Sequence, residues 1–199
     1  GAQVGDRLVL TKPLGSGVFD KECEKGLLSH LNDHEFLSDY GLHSLSKLDP
    51  AFDQLDIDNG GGGICTSFPP QIIERLYQVG QPQLAADLMR RLLWWGDTMP
   101  YWGDPLTANC IDYRRDTPLQ CTFDGTAAAQ CLIFGTFGVN VRPNGDIVVR
   151  PRQLPFAAKM TLDGLKIRGR SFRIEIDGSK YEIRTREQSF RSATGNATV

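Results

Sequence analysis

The sequence predicts a mainly α protein with a C-terminal β domain, and two patterns lead to this class. Between positions 21 and 138, apolar residues recur mostly at helical spacing, with two long loops between the helical segments. After Gly138, apolar and polar residues alternate with the period of two that is typical of strands. Two adjacent helix-turn-helix pairs followed by strands suggest part of an α/α toroid, with a small antiparallel β sandwich or sheet appended.

Four regions follow from these patterns. Residues 1–20 form an N-terminal segment of uncertain origin, and residues 21–138 form the helical hairpins. Residues 139–187 form the antiparallel β domain, and residues 188–199 are expected to be a disordered tail.

Four helices are predicted in the helical region. The first covers Lys21–Leu31. The second carries an apolar stripe and ends at Gly80, because glycine favours the left-handed conformation just after a helix. Pro82 starts the third, since proline is tolerated in a first helical turn. The fourth, Thr122–Phe137, is small and apolar almost throughout, which predicts a buried inner helix. The stripe of the second helix consists of Ile72, Ile73, Leu76 and Tyr77.

Two turn signals organise the β domain. Asn144-Gly145 lies between two short apolar segments and predicts a hairpin with a two-residue turn. Asp177-Gly178 turns the chain into a strand that begins near Tyr181. The strand before that turn alternates apolar with polar residues, the apolar ones being Phe172, Ile174 and Ile176.

Composition is that of an ordinary soluble globular protein, with 40% hydrophobic and 23% charged residues in a chain of 199. A net charge of −2 and the lack of a basic stripe argue against nucleic acid as the main partner. The longest apolar run, Ala127–Phe134, is far too short to span a bilayer, so we expect no membrane partner. The chain opens without a signal-peptide pattern, since Asp6 and Arg7 follow at once, and we expect a cytoplasmic protein.

The cysteines and histidines do not suggest a metal centre. The five cysteines are an odd number, and none belongs to a CxxC pair. The three histidines lie apart from most of the cysteines. We therefore expect reduced, structural thiols, and neither a metal nor another cofactor.

Four consecutive glycines, Gly60–Gly63, follow an acidic cluster and lead into the second helix. Glycine permits close backbone approach and positive φ angles. The run can be a flexible turn or a loop that lets the backbone approach a sugar, whereas a phosphate cradle is less favoured without a nearby lysine. Asp53, Asp56 and Asp58 can cap a turn, form a solvated acidic face or hydrogen-bond a substrate. Their spacing does not match an EF-hand calcium loop.

The loop Met99–Cys121 is unusually long, and it is rich in aromatic and acidic residues. Loops beyond about 12–15 residues are uncommon in compact domains and are usually functional or disordered. The patterned composition of this loop favours function. Trp102 lies beside Tyr101 and near Asp104, and its ring is equally suited to a sugar platform or to a core position.

Three segments resemble the final hairpins of the six-hairpin glycoside hydrolases, the (α/α)6-barrel enzymes that include glucoamylase-like, trehalase-like and oligosaccharide-processing glucosidases. The segments are Gly63-Ile-Cys-Thr-Ser-Phe-Pro-Pro, Tyr101-Trp-Gly-Asp-Pro-Leu-Thr and Asp124-Gly-Thr-Ala-Ala-Ala. The resemblance covers residues 21–186 and only the last part of a full barrel, so it implies a fragment of such an enzyme.

This resemblance implies hydrolysis of an O-glycosidic bond in a neutral oligosaccharide or glucoside, with inversion at the sugar carbon. One carboxylate protonates the leaving oxygen and the other activates a water. Related enzymes often carry Glu at the position of Tyr101, so Asp104 and Asp112 are the candidate catalytic bases. The acid belongs to an earlier hairpin, and the catalytic pair is therefore expected to be incomplete in this chain.

The resemblance also suggests which residues bind the sugar. They lie in the two loops and at the start of the fourth helix: Asp56, Asp58, Tyr101, Trp102, Arg114, Asp116, Gln120 and Asp124. Simpler roles remain open, because Asp104 can be a turn residue before Pro105 and Asp112 can belong to a surface ion-pair cluster.

Other interpretations come from different classes of protein. A non-catalytic carbohydrate-binding or scaffolding fragment would keep the two loops and lack the acid. An incomplete toroid would expose apolar helix faces, which predicts self-association through them. The segment Gly5–Gly15 is similar to part of selenophosphate synthetase and its ATP-binding relatives, which would imply ATP-dependent phosphotransfer. A Walker-type Gly-Lys-Ser/Thr motif does not follow it.

Overall fold

The structure is a computed structural model, and it describes residues 14–39, 41–43, 45–52, 68–98, 126, 128–186, 189–192 and 197–198. The chain divides into two compact units, Gly1–Ala129 and Gln130–Val199. The described elements of the first unit are α1 (Lys21–Ser29), β1 (Leu37–Ser38), β2 (Gly41–Leu42), α2 (Phe68–Gln78) and α3 (Pro82–Thr98). None of the helices in the described ranges is both long and apolar enough to cross a membrane.

The first helix begins where the sequence predicts it. Asp20 is the N-cap, and its Oδ1 accepts a 2.7 Å hydrogen bond from the backbone N–H of Cys23. The helix ends at Ser29, and the N–H of His30 then bonds the carbonyl oxygen of Leu27 at 3.2 Å. Leu31, predicted as the last helical residue, follows the helix and is buried.

Helices α2 and α3 form an antiparallel hairpin, as the apolar stripe and Gly80 predict. The N–H of Gln81 bonds the carbonyl oxygen of Leu76 at 2.8 Å, and the N–H of Gly80 bonds that of Tyr77 at 3.4 Å. This pair of bonds, with Gly80 at φ 77°, is a Schellman C-cap. Pro82 then starts α3, which confirms the predicted boundary. The buried side chains of the hairpin are Ile72, Ile73, Leu76, Tyr77, Ala85, Ala86, Leu88, Met89 and Leu92.

The second unit begins with a π-helix, Cys131–Thr136, which continues from helical residues 128–130. Its strands are β3 (Val139–Val141), β4 (Ile147–Val149), β5 (Lys159–Ile167), β6 (Arg170–Asp177), β7 (Lys180–Thr185), β8 (Ser189–Ser192) and β9 (Ala197–Thr198). They form two antiparallel sheets with the strand orders β3-β4-β9 and β5-β6-β7-β8. Strands β8 and β9 lie in the segment expected to be a disordered tail.

The two sheets share one apolar core. Alternate residues of β6 face it, because a strand presents every second side chain to the same side. Phe172, Ile174 and Ile176 are each at most 2% exposed, which confirms their predicted alternation. The remaining members of the core come from the end of the π-helix and from both sheets: Phe137, Val139, Ile147, Val149, Tyr181 and Ile183.

The hairpin β3–β4 has a longer turn than predicted. The N–H of Arg142 bonds the carbonyl oxygen of Asp146 at 2.8 Å, and the N–H of Gly145 bonds that of Arg142 at 2.9 Å. The loop therefore has three residues, Pro143, Asn144 and Gly145, instead of two. Proline suits the second position of a type I turn, and Gly145 at φ 98° provides the positive φ angle that closes such a loop.

The predicted fold class, mainly α with a partial (α/α)6 toroid, is wrong, and so is the resemblance to the six-hairpin hydrolases. The described residues contain helices α1–α3, helical residues 128–130 that lead into the π-helix, and nine strands in three small sheets. Strand β2 packs against both α2 and α3, in the place that a toroid would give to another helical hairpin. The apolar stripes predict that one face of each helix is buried against another element, but they do not specify whether that element is a helix or a strand.

The fourth predicted helix is not buried on all sides. Ala128 and Cys131 are buried, but Ala129, Gln130 and Phe134 are exposed in the part that the structure describes. Ile133 packs against the apolar core of the second unit. In its described residues, this segment has both buried and exposed positions, although its sequence is apolar almost all round.

Candidate functional site

Every residue predicted to bind or cleave a sugar lies outside the described residues. Asp56 and Asp58 belong to positions 53–67, which precede α2 and which we call the acidic segment. The others belong to positions 99–125, which follow α3 and which we call the aromatic segment: Tyr101, Trp102, Asp104, Asp112, Arg114, Asp116, Gln120 and Asp124. The roles of all these residues stay predictions.

The two segments are attached at the same end of the α2–α3 hairpin. Phe68 is the first residue of α2, and Thr98 is the last residue of α3. Because the two helices are antiparallel, the start of α2 and the end of α3 lie at the end opposite to the turn at Gly80. Helix α3 has six residues more than α2 (17 against 11) and is therefore longer by about 9 Å. Both segments therefore begin at this open end of the hairpin, with the start of the aromatic segment displaced along the helix axis by about 9 Å.

Arg91 connects α3 to a part of the chain more than fifty residues earlier. Its Nε donates to Oδ2 of Asp87 at 2.8 Å, and its Nη2 donates to Oδ1 of Asp33 at 3.2 Å. Its Nη1 donates to the carbonyl oxygen of Ser38. The side chain of Arg91 is only 9% exposed. One oxygen from α3 and two from the segment 33–38 therefore satisfy a buried guanidinium, and that segment is fixed to α3.

Lys47 holds the same segment from another position. Its Nζ donates to the carbonyl oxygen of Asp33 at 2.9 Å and to that of Leu37. The backbone N–H of Lys47 also donates to the carbonyl oxygen of Glu35 at 2.8 Å. Two cationic side chains, Arg91 and Lys47, thus order β1 and the residues before it, and they satisfy carbonyl groups that the short strands leave unpaired.

His43 links the chain near β1 to Phe52, the residue just before the acidic segment. The N–H of His43 donates to the carbonyl oxygen of Phe36 at 2.8 Å. Its ring is buried and meets the ring of Phe52 edge to face, with 5.6 Å between centroids. Phe52 is the last described residue before position 53. The point where the acidic segment begins is therefore held by packing.

Three described carboxylates, those of Glu24, Asp33 and Asp87, are bound to cations or backbone donors, and this makes them poor candidates for a general acid. Glu24 is buried; its Oε1 accepts from the N–H of Gly15 at 2.9 Å and its Oε2 from Nζ of Lys21 at 3.0 Å. The Gly15 N–H and then Lys21 lower the pKa of Glu24 below its ordinary value of 4.5. A general acid requires the opposite shift. Asp33 and Asp87 are paired with Arg91.

The described ranges contain no group of three or more His, Cys, Asp or Glu side chains that could hold a metal ion. Cys23 is exposed and Cys131 is buried, and neither of these two described thiols forms a disulfide.

Sequence reasoning missed the Arg91 cluster. Asp87 and Arg91 are four residues apart in a predicted helix, which is a recognisable signal for an ion pair. The contacts with Asp33 and Ser38 have no such signal, because they depend on how β1 packs on α3.

Comparisons with known proteins identify a fold but no family. No family model matches the chain, and no curated protein matches it significantly. Among solved structures, the chain is similar to one named sialidase, with a TM-score of 0.73 and 14% sequence identity. The match covers 99% of this chain and 21% of that chain, so the chain spans about a fifth of the sialidase. At this identity the likeness shows the fold alone.

Proposed function

We propose that the chain is part of a glycoside hydrolase, an enzyme that cleaves O-glycosidic bonds with two carboxylates. The observation that carries this proposal is the likeness of almost the whole chain to part of a structure named sialidase. A sialidase is itself a glycosidase. The acidic and aromatic residues predicted from the sequence are of the kind that such chemistry uses.

The attachment of the two segments supports a shared pocket. Both begin at the open end of the α2–α3 hairpin, where neighbouring helix axes lie about 8–10 Å apart and α3 extends about 9 Å further than α2, so side chains of both segments can reach one pocket. Carboxylates about 6.5–9.5 Å apart suit inversion, and carboxylates about 5–5.5 Å apart suit retention. The proposed site therefore draws Asp56 and Asp58 from the acidic segment, and Trp102, Asp104 and Asp112 from the aromatic segment.

The reaction we propose needs one proton donor and one proton acceptor. The acid protonates the glycosidic oxygen as its bond to the sugar carbon breaks, and a water forms the new bond to that carbon. The base, Asp104 or Asp112, takes the proton that this water loses. The chain spans only about a fifth of the structure it resembles, so the acid is assigned to a region outside this chain. Trp102 would stack on the apolar face of the sugar ring.

Hydrolysis of nitrophenyl glycosides by the full-length protein tests this proposal. We expect turnover of a neutral nitrophenyl glucoside. The rate on a nitrophenyl sialoside is measured in parallel, so that the preference between the two sugars can be compared. Asp104→Asn or Asp112→Asn should lower kcat by about a hundredfold or more, the usual effect of losing a general base. Asp39→Asn, the same change at an exposed described position, is the control. Absence of turnover on every glycoside, or equal loss in the control, would refute the proposal.

A second candidate is a non-catalytic carbohydrate-binding module. The share of the sialidase that the chain covers favours it, because a fifth of an enzyme can keep a sugar-binding surface without both catalytic groups. Calorimetric titration of the isolated chain with oligosaccharides separates the two candidates: binding without turnover, retained in Asp104→Asn and Asp112→Asn, supports the module.

Self-association and a cytoplasmic location also stay predictions. Light scattering tests the first, and cell fractionation tests the second.

A further inference from the structure

The turn between β5 and β6 places an arginine in an unfavourable backbone conformation. Ile167 pairs with Arg170, so the turn consists of Arg168 at φ 49° and Gly169 at φ 78°. Two positive φ angles are typical of a type I′ turn, which favours asparagine, aspartate or glycine at its first position. Among the described residues, Arg168 alone has a positive φ angle without being a glycine. Such outliers are concentrated at functional sites.

Arg168 also reaches the neighbouring hairpin turn. A Cβ placed on Gly145 would lie 2.8 Å from Nη1 of Arg168. Gly145 closes the turn that starts at Arg142, through the hydrogen bond between its N–H and the Arg142 carbonyl oxygen. The turns β3–β4 and β5–β6 are therefore in contact at one end of the two sheets. We call Arg142, Arg168 and Arg170 the arginine tip.

In the part of the chain that the structure describes, no carboxylate forms an ion pair with the arginine tip. All three arginines are exposed, and among the described residues none of them forms an ion pair. The acid within these turns is Asp146, whose Oδ2 accepts from Nδ2 of Asn144 at 2.8 Å. Arginines on the outer face of β6 and β7 are different, because each has a carboxylate at 2.7 Å: Arg173 with Asp163 and Glu175, and Arg184 with Glu182.

We infer that the arginine tip binds the carboxylate or sulfate groups of an anionic polysaccharide. A guanidinium group presents a planar fork of donors that matches the paired oxygens of such groups. Anionic groups repeated along a glycan chain can engage arginines on two adjacent turns at once. This surface is additional to the proposed cleavage reaction, and the choice of a glycan over other polyanions rests on that proposed function.

The substitution Arg168→Asn separates this role from a structural one, because it should change stability and binding in opposite directions. Asparagine tolerates the left-handed conformation, so the Tm should rise by about 2–4 °C. The loss of a charge-assisted contact should weaken binding to heparin and to polysialic acid about tenfold or more. Arg170→Gln should weaken binding similarly. Lys180→Asn removes a positive charge beside the turn between β6 and β7 and should leave affinity unchanged.

The experiment is a titration of the full chain with heparin, polysialic acid, neutral dextran and duplex DNA at several salt concentrations. We expect salt-sensitive binding of one or both anionic glycans, and none of dextran. Binding that is unchanged in both Arg168→Asn and Arg170→Gln would overturn the inference. So would equal or tighter binding of DNA, which would indicate a general polyanion surface. Failure of glycoside hydrolysis would refute the proposed enzyme without changing these binding results.

Discussion

Nε of Arg91 donates a 2.8 Å hydrogen bond to Oδ2 of Asp87, one helical turn earlier in α3. This bond leaves both terminal nitrogens of Arg91 for Asp33 and for the carbonyl oxygen of Ser38. A single side chain thus joins α3 to the segment around β1. Because that segment leads to Phe52 and then to the acidic segment, Arg91 contributes to the position at which the predicted sugar-binding residues begin.

Replacement of Arg91 by methionine should destabilise the first unit by about 2 kcal/mol, since it removes the hydrogen bonds to the Ser38 carbonyl oxygen and to two carboxylates that remain partly exposed to water. Tryptophan fluorescence during urea unfolding measures this, because all three tryptophans lie in the Gly1–Ala129 unit. Arg90→Met is the matched control. Arg90 is 57% exposed, and its ion pair within the described part of the chain is with Asp87 at 3.1 Å, so its loss should cost about 0.5 kcal/mol or less. Equal losses in the two variants would show that the Arg91 contacts are not important for stability.

Gly138→Ala should be among the most damaging single substitutions in the second unit. Gly138 has φ 64°, and a Cβ there would clash with the backbone carbonyl of Arg150. Backbone atoms cannot move aside as the end of a flexible side chain can, so we expect a loss of about 3 kcal/mol or more. Circular dichroism during thermal unfolding measures the effect.

Gly178→Ala provides the comparison for Gly138. Gly178 has a similar φ of 57°, but a Cβ there would meet no atom within 4 Å. Only the backbone conformation would then be unfavourable, at about 1–2 kcal/mol. A loss at Gly178 as large as that at Gly138 would mean that the clash with Arg150 does not determine the effect.

Glu24 should make the stability of the first unit depend on acid pH. The N–H of Gly15 and the ammonium group of Lys21 lower its pKa in the folded protein. A lowered folded pKa means that the stabilisation is fully present above the unfolded value and is lost as the pH falls through the folded value. Glu24→Gln should therefore be less stable than the wild type at pH 7, and the difference should shrink between about pH 5 and pH 3.

Glu22→Gln is the control for this titration, because Glu22 lies in the same helical turn of α1 and is exposed. Urea unfolding of both variants at several pH values gives the comparison. A stability difference between wild type and Glu24→Gln that stays constant from pH 7 to pH 3 would contradict the assignment.

The sequence correctly predicted those features that depend only on neighbouring residues, such as helix boundaries and the alternation within a strand. Gly80 and Pro82 fixed the α2–α3 boundary, since the C-cap and the first helical turn depend only on adjacent residues. The alternation at Phe172, Ile174 and Ile176 predicted the buried face of β6 for the same reason. The three-residue turn at Pro143 was missed, although proline before Asn144-Gly145 is a local signal for a type I turn.

Contacts between distant residues were not predictable in the same way. The apolar stripes of α2 and α3 are compatible with a toroid of hairpins or with a covering strand, and they do not distinguish the two. The packing of β2 decides between them, and it involves residues more than twenty-five positions away. The contacts of Arg91 with Asp33 and Ser38 depend on that packing. The residues predicted to bind a sugar lie outside the described ranges, so their roles are tested by the enzyme assays and not by the structure.

Asp20 should control the reactivity of the Cys23 thiol. A hydrogen bond with the Asp20 side chain and the charge of that carboxylate raise the pKa of Cys23, so less thiolate forms at a given pH. Asp20→Asn removes the charge and keeps a residue that can cap the helix. Cys23 should then react faster with iodoacetamide at pH 8, as measured by mass spectrometry of the peptide that contains it. Glu22→Gln removes a neighbouring charge without touching the cap, and it should have a smaller effect. If the two variants react at the wild-type rate, Asp20 does not set the ionisation of this thiol, and its role is limited to starting α1.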